Sequence, residues 1–184
     1  LFSCCLARLH PLFAREKHKG KAQHAKGQPH LLTQCDADAD LQDKEGLTKL
    51  IADMDETLKA ADGCGLAAPQ VGILRRVVLV DVGMEDNEIV EFINPELIET
   101  DGEQEGPEGC LSVPGVWGIV KRPWWVKVKA QDRNGEWFEV EGDGLTGRCF
   151  CHEIAHLKGQ LYTDVAEKML TPEELEELLS EDEE

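Results

Sequence analysis

Leu47, Leu50, Ile51, Met54 and Leu58 recur at steps of three, one, three and four, the spacing that lines one face of an α-helix. That helix runs for about 15–20 residues and ends at Asp62-Gly63, before a segment that breaks the period. Arg76 to Val82 (RVVLVDV) is a short β-branched run and predicts a buried strand. Ile89 to Ile98 predicts two strand pieces interrupted by Asn94-Pro95. Trp125 to Ala130 alternates as WVKVKA, Asn134-Gly135 supplies a tight turn, and Trp137 to Val140 returns, which is a hairpin. A second helix is expected from about Leu145 to Lys158 with Gly159 as its stop, and Thr171-Pro172-Glu173 opens a third. Helix, antiparallel strands, then a late helix make an α+β fold with one domain, the strands packed around that late helix.

Composition narrows the class. The formal charge is −18, but residues 1–26 carry six basic groups (Arg8, Arg15, Lys17, Lys19, Lys21, Lys26) against Glu16 alone. The remaining chain stands at −23, so its surface would repel a phosphate backbone, and nucleic acid is not an expected partner. No apolar run approaches the roughly 20 residues of a membrane span. Seven cysteines without a regular framework of spacings point to a reducing compartment and a thiol free for chemistry. Residues 1–26 read as a basic extension, with an organelle transit segment, a fragment or a misplaced start as alternatives. Residues 27–170 read as the catalytic body, and 171–184 as an acidic C-terminal helix and tail.

The chemistry begins at His152-Glu153-Ile154-Ala155-His156. On a helix, residues four apart share a face, so both imidazoles converge on one point. A glutamate beside the first histidine can then act as general base for a water activated by a metal, which predicts a metal-assisted hydrolase. A third ligand is needed, and three sources compete. The extended pattern HExxHxxGxxH is matched as far as Gly159 but fails at Tyr162. A tail acid (Glu173, Glu174, Glu176 or Glu177) would give a His₂Glu site. Cys110, within Glu108-Gly109-Cys110-Leu111-Ser112, would give His₂Cys. A further segment, Gly63-Cys64-Gly65-Leu66-Ala67-Ala68-Pro69-Gln70, superficially fits a dinucleotide fingerprint. However, it follows a helix and precedes a strand, the reverse of what such a site requires. Its glycines allow close approach of backbone to a ligand, and the Gln70 amide can donate to a developing oxyanion.

Taken together, GCGLAAPQ at 63–70, EGCLS at 108–112 and HEIAH at 152–156 resemble the three motifs of the peptide deformylase family, in order and approximate spacing. The resemblance covers about residues 27 to 170 and includes Gly27-Gln28-Pro29-His30-Leu31, similar to the family's opening segment. It implies that Cys110, His152 and His156 hold one divalent metal, usually Fe²⁺, with Zn²⁺, Ni²⁺ or Co²⁺ as substitutes. It further implies that Glu153 moves the proton between water and leaving amine, and that Gln70 and the N–H of Leu111 stabilise the oxyanion. Cys64 and Gly65 would pair with the substrate backbone, and Glu108 would lie at the rim of the pocket for the first methionine. The implied substrates are N-formylmethionyl nascent peptides, met in transient proximity to the ribosome by a cytoplasmic monomer with no membrane partner. A general HExxH metallopeptidase and a non-catalytic metal- or peptide-binding relative are the rival readings.

The sequence departs from the family pattern at Ala155, where aspartate is usual, at Cys151, which reads as neutral packing, and at Leu32, in place of an arginine. Arg122 is the expected partner left uncompensated by Ala155, so Ala155→Asp is expected to raise metal occupancy.

Overall fold

The computed structural model describes residues 33–82 and 89–181. The opening segment Gly27–Leu31, Leu32 and the basic extension lie outside the described residues. Helix α1 (Lys44–Ala61) starts where the Asp43 carboxylate accepts the Gly46 N–H at 3.1 Å, a side-chain cap for an otherwise orphaned donor. It stops where Asp62 turns into the left-handed region at φ 52°. Its five periodic residues are all buried, as the spacing predicts.

Eight antiparallel strands follow among the described residues. β1 (Gly65–Ala67), β2 (Val77–Asp81), β3 (Ile89–Asp101), β6 (Trp125–Gln131) and β7 (Trp137–Asp143) form one sheet in the order β1-β2-β3-β6-β7. β4 (Gln104–Cys110), β5 (Val113–Arg122) and β8 (Lys168–Leu170) form a second. Helix α2 (Gly144–Leu157) packs between them, and α3 (Pro172–Glu181) follows β8. The larger sheet has a helix on each face. Val77 and Leu79 point to the cluster containing Leu47, Met54 and Leu58 of α1. Val78 and Val80 point to the cluster containing Phe150, Ile154 and Leu157 of α2. A strand covered on both sides needs apolar residues at every position, which is why RVVLVDV shows no alternation.

One expectation needs correction. Ile89 to Asp101 is one strand rather than two pieces. Asn94 enters the left-handed region at φ 53° and the register shifts between Ile93 and Glu96, so the Asn-Pro pair makes a bulge instead of a break. Asn94 is held there by accepting the Ala39 N–H at 2.7 Å and donating to Gln131 at 2.9 Å. The cysteine segment, although Gly106, Pro107 and Gly109 are ordinarily loop residues, is strand β4 and its turn. Pro107 is tolerated because β4 is a sheet edge, and Gly109 is required because a Cβ there would lie 2.9 Å from the Trp117 ring.

Candidate metal centre

Helix α2 and strand β4 bring the three predicted ligands together. His152 and His156 lie one turn apart on α2, with ring centroids 4.6 Å apart. Cys110 ends β4 at a register shift, and its Sγ is 3.3 Å from His156 Nε2. The thiol and one nitrogen of each ring all lie within 4.8 Å of one another. Among the described residues, no other group of potential ligands converges in this way. Glu174, one of the tail acids weighed as third ligand, instead pairs with Lys168 and caps α3 through Thr171. Of the sources weighed for a third ligand, Cys110 is the one that converges on the two imidazoles among the described residues.

Hydrogen bonds fix both imidazoles. His156 Nδ1 lies 3.0 Å from the Gln160 carbonyl, which can only accept, so Nδ1 carries the proton and Nε2 is left for a ligand. His152 Nδ1 lies 3.1 Å from Glu108. Burial works against a charged Glu108, but hydrogen bonds from Arg122 and His152 hold its carboxyl down at about 2. As an acceptor only, Glu108 therefore keeps the proton on Nδ1 and leaves His152 Nε2 facing Cys110.

Glu108 is 4% exposed and lies behind the His152 ring, where Arg122, Arg148 and His152 hold its carboxylate. Arg122 is not left without a partner: Nε and Nη2 each bond Glu108 at 2.9 Å. The charge on Arg122 is answered from β4, so the smaller side chain of Ala155 leaves no bare guanidinium there.

Glu153, also 4% exposed, has its carboxyl pushed up to about 7 by burial. Its Oε2 is buried without a hydrogen-bond partner. A thiol and two oriented imidazole nitrogens beside an unpartnered carboxylate oxygen make a donor set that fits a divalent transition metal with one position open. Gln70, on the short 3-10 turn after β1, accepts the Ala67 N–H through Oε1 at 2.7 Å. Its Nε2 points back to Ser112 Oγ at 3.2 Å and Cys110 Sγ at 3.5 Å. Leu111 follows Cys110 in the β4–β5 turn, its side chain against α1's cluster. Gly65 begins β1 at the edge of the larger sheet, and the carbonyl of Cys64 just before it accepts the Asp81 N–H at 2.9 Å.

Arg148 and Tyr162 complete the surroundings, and neither was anticipated as part of the site. Tyr162 stacks on His152 with centroids 6.0 Å apart. Arg148 is buried against Glu108. A charged residue four before His152, within an otherwise apolar helical stretch, was the available signal.

A family model described as polypeptide deformylase matches residues 24–171. A peptide deformylase of Lachnoclostridium phytofermentans is 62% identical over 115 residues, spanning 62% of this chain and 71% of that protein. One from Caldanaerobacter subterraneus subsp. tengcongensis is 54% identical over 127 residues, spanning 69% and 78%. Among solved structures, a class I type b peptide deformylase of Acinetobacter baumannii with Met-Ala-Ser bound is similar at 33% identity. Its TM-score is 0.68, over 73% of this chain and 91% of that one. A peptide deformylase of Synechococcus elongatus in complex with actinonin is 37% identical, with TM-score 0.66 over 84% and 86%.

Proposed function

The chain belongs to the peptide deformylase family, and from that premise we propose that Cys110, His152 and His156 hold one divalent metal beside Glu153, the general base. Its reaction is the metal-dependent hydrolysis that removes the formyl group from the N-formylmethionine of nascent polypeptides, releasing formate. When bound, the metal supplies Lewis-acid polarisation of the formyl group and a lowered pKa for the attacking water.

The side chains do the rest. Glu153 takes a proton from the water as it attacks the formyl carbon, then returns one to the amine as the C–N bond breaks. Burial pushes this carboxyl up to about 7, a bound cation would draw it down, and the unpartnered Oε2 is placed to take and return a proton. With Oε1 tied to Ala67, the Gln70 amide presents only donors to the pocket. It stabilises the oxyanion together with the N–H of Leu111. The backbone of Cys64 and Gly65, at a sheet edge, pairs with an extended peptide by strand addition. The relative with Met-Ala-Ser bound supports a peptide of that class.

Fe²⁺ is the metal we assign to the native protein, and one thiolate with two imidazoles also accommodates Zn²⁺, Ni²⁺ or Co²⁺. The work is done as a monomer in the cytoplasm, where nascent chains leave the ribosome. The acidic face of α3 (Glu173, Glu174, Glu176, Glu177) disfavours docking onto RNA. No helix among the described residues is long and apolar enough to cross a membrane.

The observation that carries this reading is the convergence of Cys110 with two histidines from an element more than 40 residues away. The test is formate release from formyl-Met-Ala-Ser by protein loaded anaerobically with Fe²⁺. Cys110→Ser is expected to lose both metal and activity. Glu153→Gln is expected to keep the metal and lose about 10²-fold or more of kcat. Metal retention by Cys110→Ser at wild-type level would overturn the ligand assignment.

A further inference from the structure

Helix α2 and strand β4 meet in matched steps. Arg148 faces Gly106 and Glu108, His152 faces Glu108, and His156 faces Cys110. Each four-residue step on the helix advances about 6 Å, and each two-residue step on the strand about 6.6 Å. The two elements therefore stay in phase over the length of the site, while a slip of one residue along β4 would turn the Cys110 side chain to the opposite face. Something must fix that phase at the end away from the metal. Arg148 Nη1 lies 3.0 Å from Glu108 Oε1, 3.1 Å from the Val120 carbonyl and 3.3 Å from the Gly106 carbonyl. Gly106 and Val120 are paired across β4 and β5, so the guanidinium grips both strands of the hairpin at one rung. Arg122 holds the same Glu108 from β5 and makes no such bond to α2.

We infer that Arg148 is a positioning residue for the metal centre: by clamping α2 to the β4–β5 hairpin at Gly106, Glu108 and Val120, it sets the register that delivers the Cys110 sulfur to the two imidazoles. The inference rests on the reading of Cys110, His152 and His156 as metal ligands. Arg148 touches neither substrate nor metal. It acts through Glu108, which orients His152, and through the strand that ends in Cys110. Groups of this kind typically contribute 10–100-fold to metal affinity.

The test uses the full chain, stripped of metal and titrated anaerobically with Co²⁺. The near-ultraviolet thiolate-to-cobalt band and a chelator-competition Kd are read alongside the thermal midpoint of the metal-free protein. Wild type is expected to show the band, and Cys110→Ser to lack it. If wild type lacks the band, or Cys110→Ser keeps it, the ligand reading itself falls. Arg148→Met retains the apolar stem and removes the donors. It is expected to weaken Kd about tenfold or more and to lower the band per bound cobalt as sulfur leaves the coordination shell. A purely structural arginine would lower the thermal midpoint and leave band shape and Kd unchanged. That result in Arg148→Met, with Cys110→Ser behaving as expected, overturns the inference alone. Arg148→Lys can reach Glu108 but cannot span both carbonyls, and should fall between Met and wild type. Should Arg148→Met fail to fold, the Lys variant decides by the same readouts, and wild-type values for Kd and band overturn the inference.

Discussion

Gly65→Ala probes the catalytic geometry through a single methyl group. A Cβ at position 65 would lie 2.6 Å from Glu153 Oε1, 2.7 Å from Glu153 Cγ and 2.8 Å from Cys149 Sγ. Ordinary contact begins near 3.4 Å, so the carboxylate must retreat by about 0.8 Å, or β1 must move by a similar distance. Glu153 is buried, so any retreat changes where its carboxylate stands relative to the three ligands. Overpacking of this size typically costs about 1–3 kcal/mol in stability. In a chain of this length that is a thermal midpoint lower by about 3–10 °C. Misplacing a proton-transfer group by about 1 Å costs on the order of 10²-fold in rate. The assay is kcat for formate release from formyl-Met-Ala-Ser, with metal content and the melting curve measured on the same preparation. The expected result is kcat reduced about 10²-fold in protein that still binds metal. Wild-type kcat would refute the claim that Glu153 works from its place beneath Gly65.

Other perturbations probe separate parts of the centre. In the metal-free chain, burial opposes a charged His152, but its bonds with Cys110 and Glu108 outweigh burial and lift it to about 10. That folded value exceeds the unfolded one, so the stabilisation is complete below about pH 6.5 and is lost as pH rises through about 10. The thermal midpoint of chelated protein should therefore fall between about pH 7 and pH 10, and less so after metal loading. Equal falls in the two forms would contradict the assignment. Because Arg122 already binds Glu108 through two bonds, Ala155→Asp should change metal affinity by less than about threefold, below the range usual for groups behind a ligand. A tenfold gain in a metal titration would mean that the guanidinium pair still lacks negative charge. Met54 is fully buried in the α1 face, so Met54→Ala should cost about 2–5 kcal/mol in denaturant unfolding with kcat unchanged. A loss under about 1 kcal/mol would show that α1 contributes little to the core.

Parts of the molecule governed by short-range rules were legible in the chain. The α1 stripe, the Asp132–Glu136 connection of the β6–β7 hairpin, with Gly135 at φ 89°, and the stop of α2 before Gly159 follow from local spacing and turn chemistry. β4 was not legible, because Gly106, Pro107 and Gly109 are ordinarily loop residues. Their reasons lie across the sheet, in the edge position of β4 and the Trp117 ring. The helical pair His152 and His156 was evident from spacing, whereas spacing left the third ligand open between Cys110 and a tail acid, and Cys110 was singled out only by the family resemblance. Glu108 illustrates the same limit. Nothing local to EGCLS indicates that Arg122 and Arg148 surround its carboxylate. The family resemblance implied its place near the methionine pocket, and the two guanidiniums around it became visible only in the fold.

The three-ligand centre is tested most directly by X-ray absorption at the zinc edge of anaerobically zinc-loaded protein. A shell with one sulfur at about 2.3 Å and two nitrogens at about 2.0–2.1 Å is expected, with the sulfur lost in Cys110→Ser. A shell of nitrogen and oxygen alone, unchanged by that substitution, would contradict it.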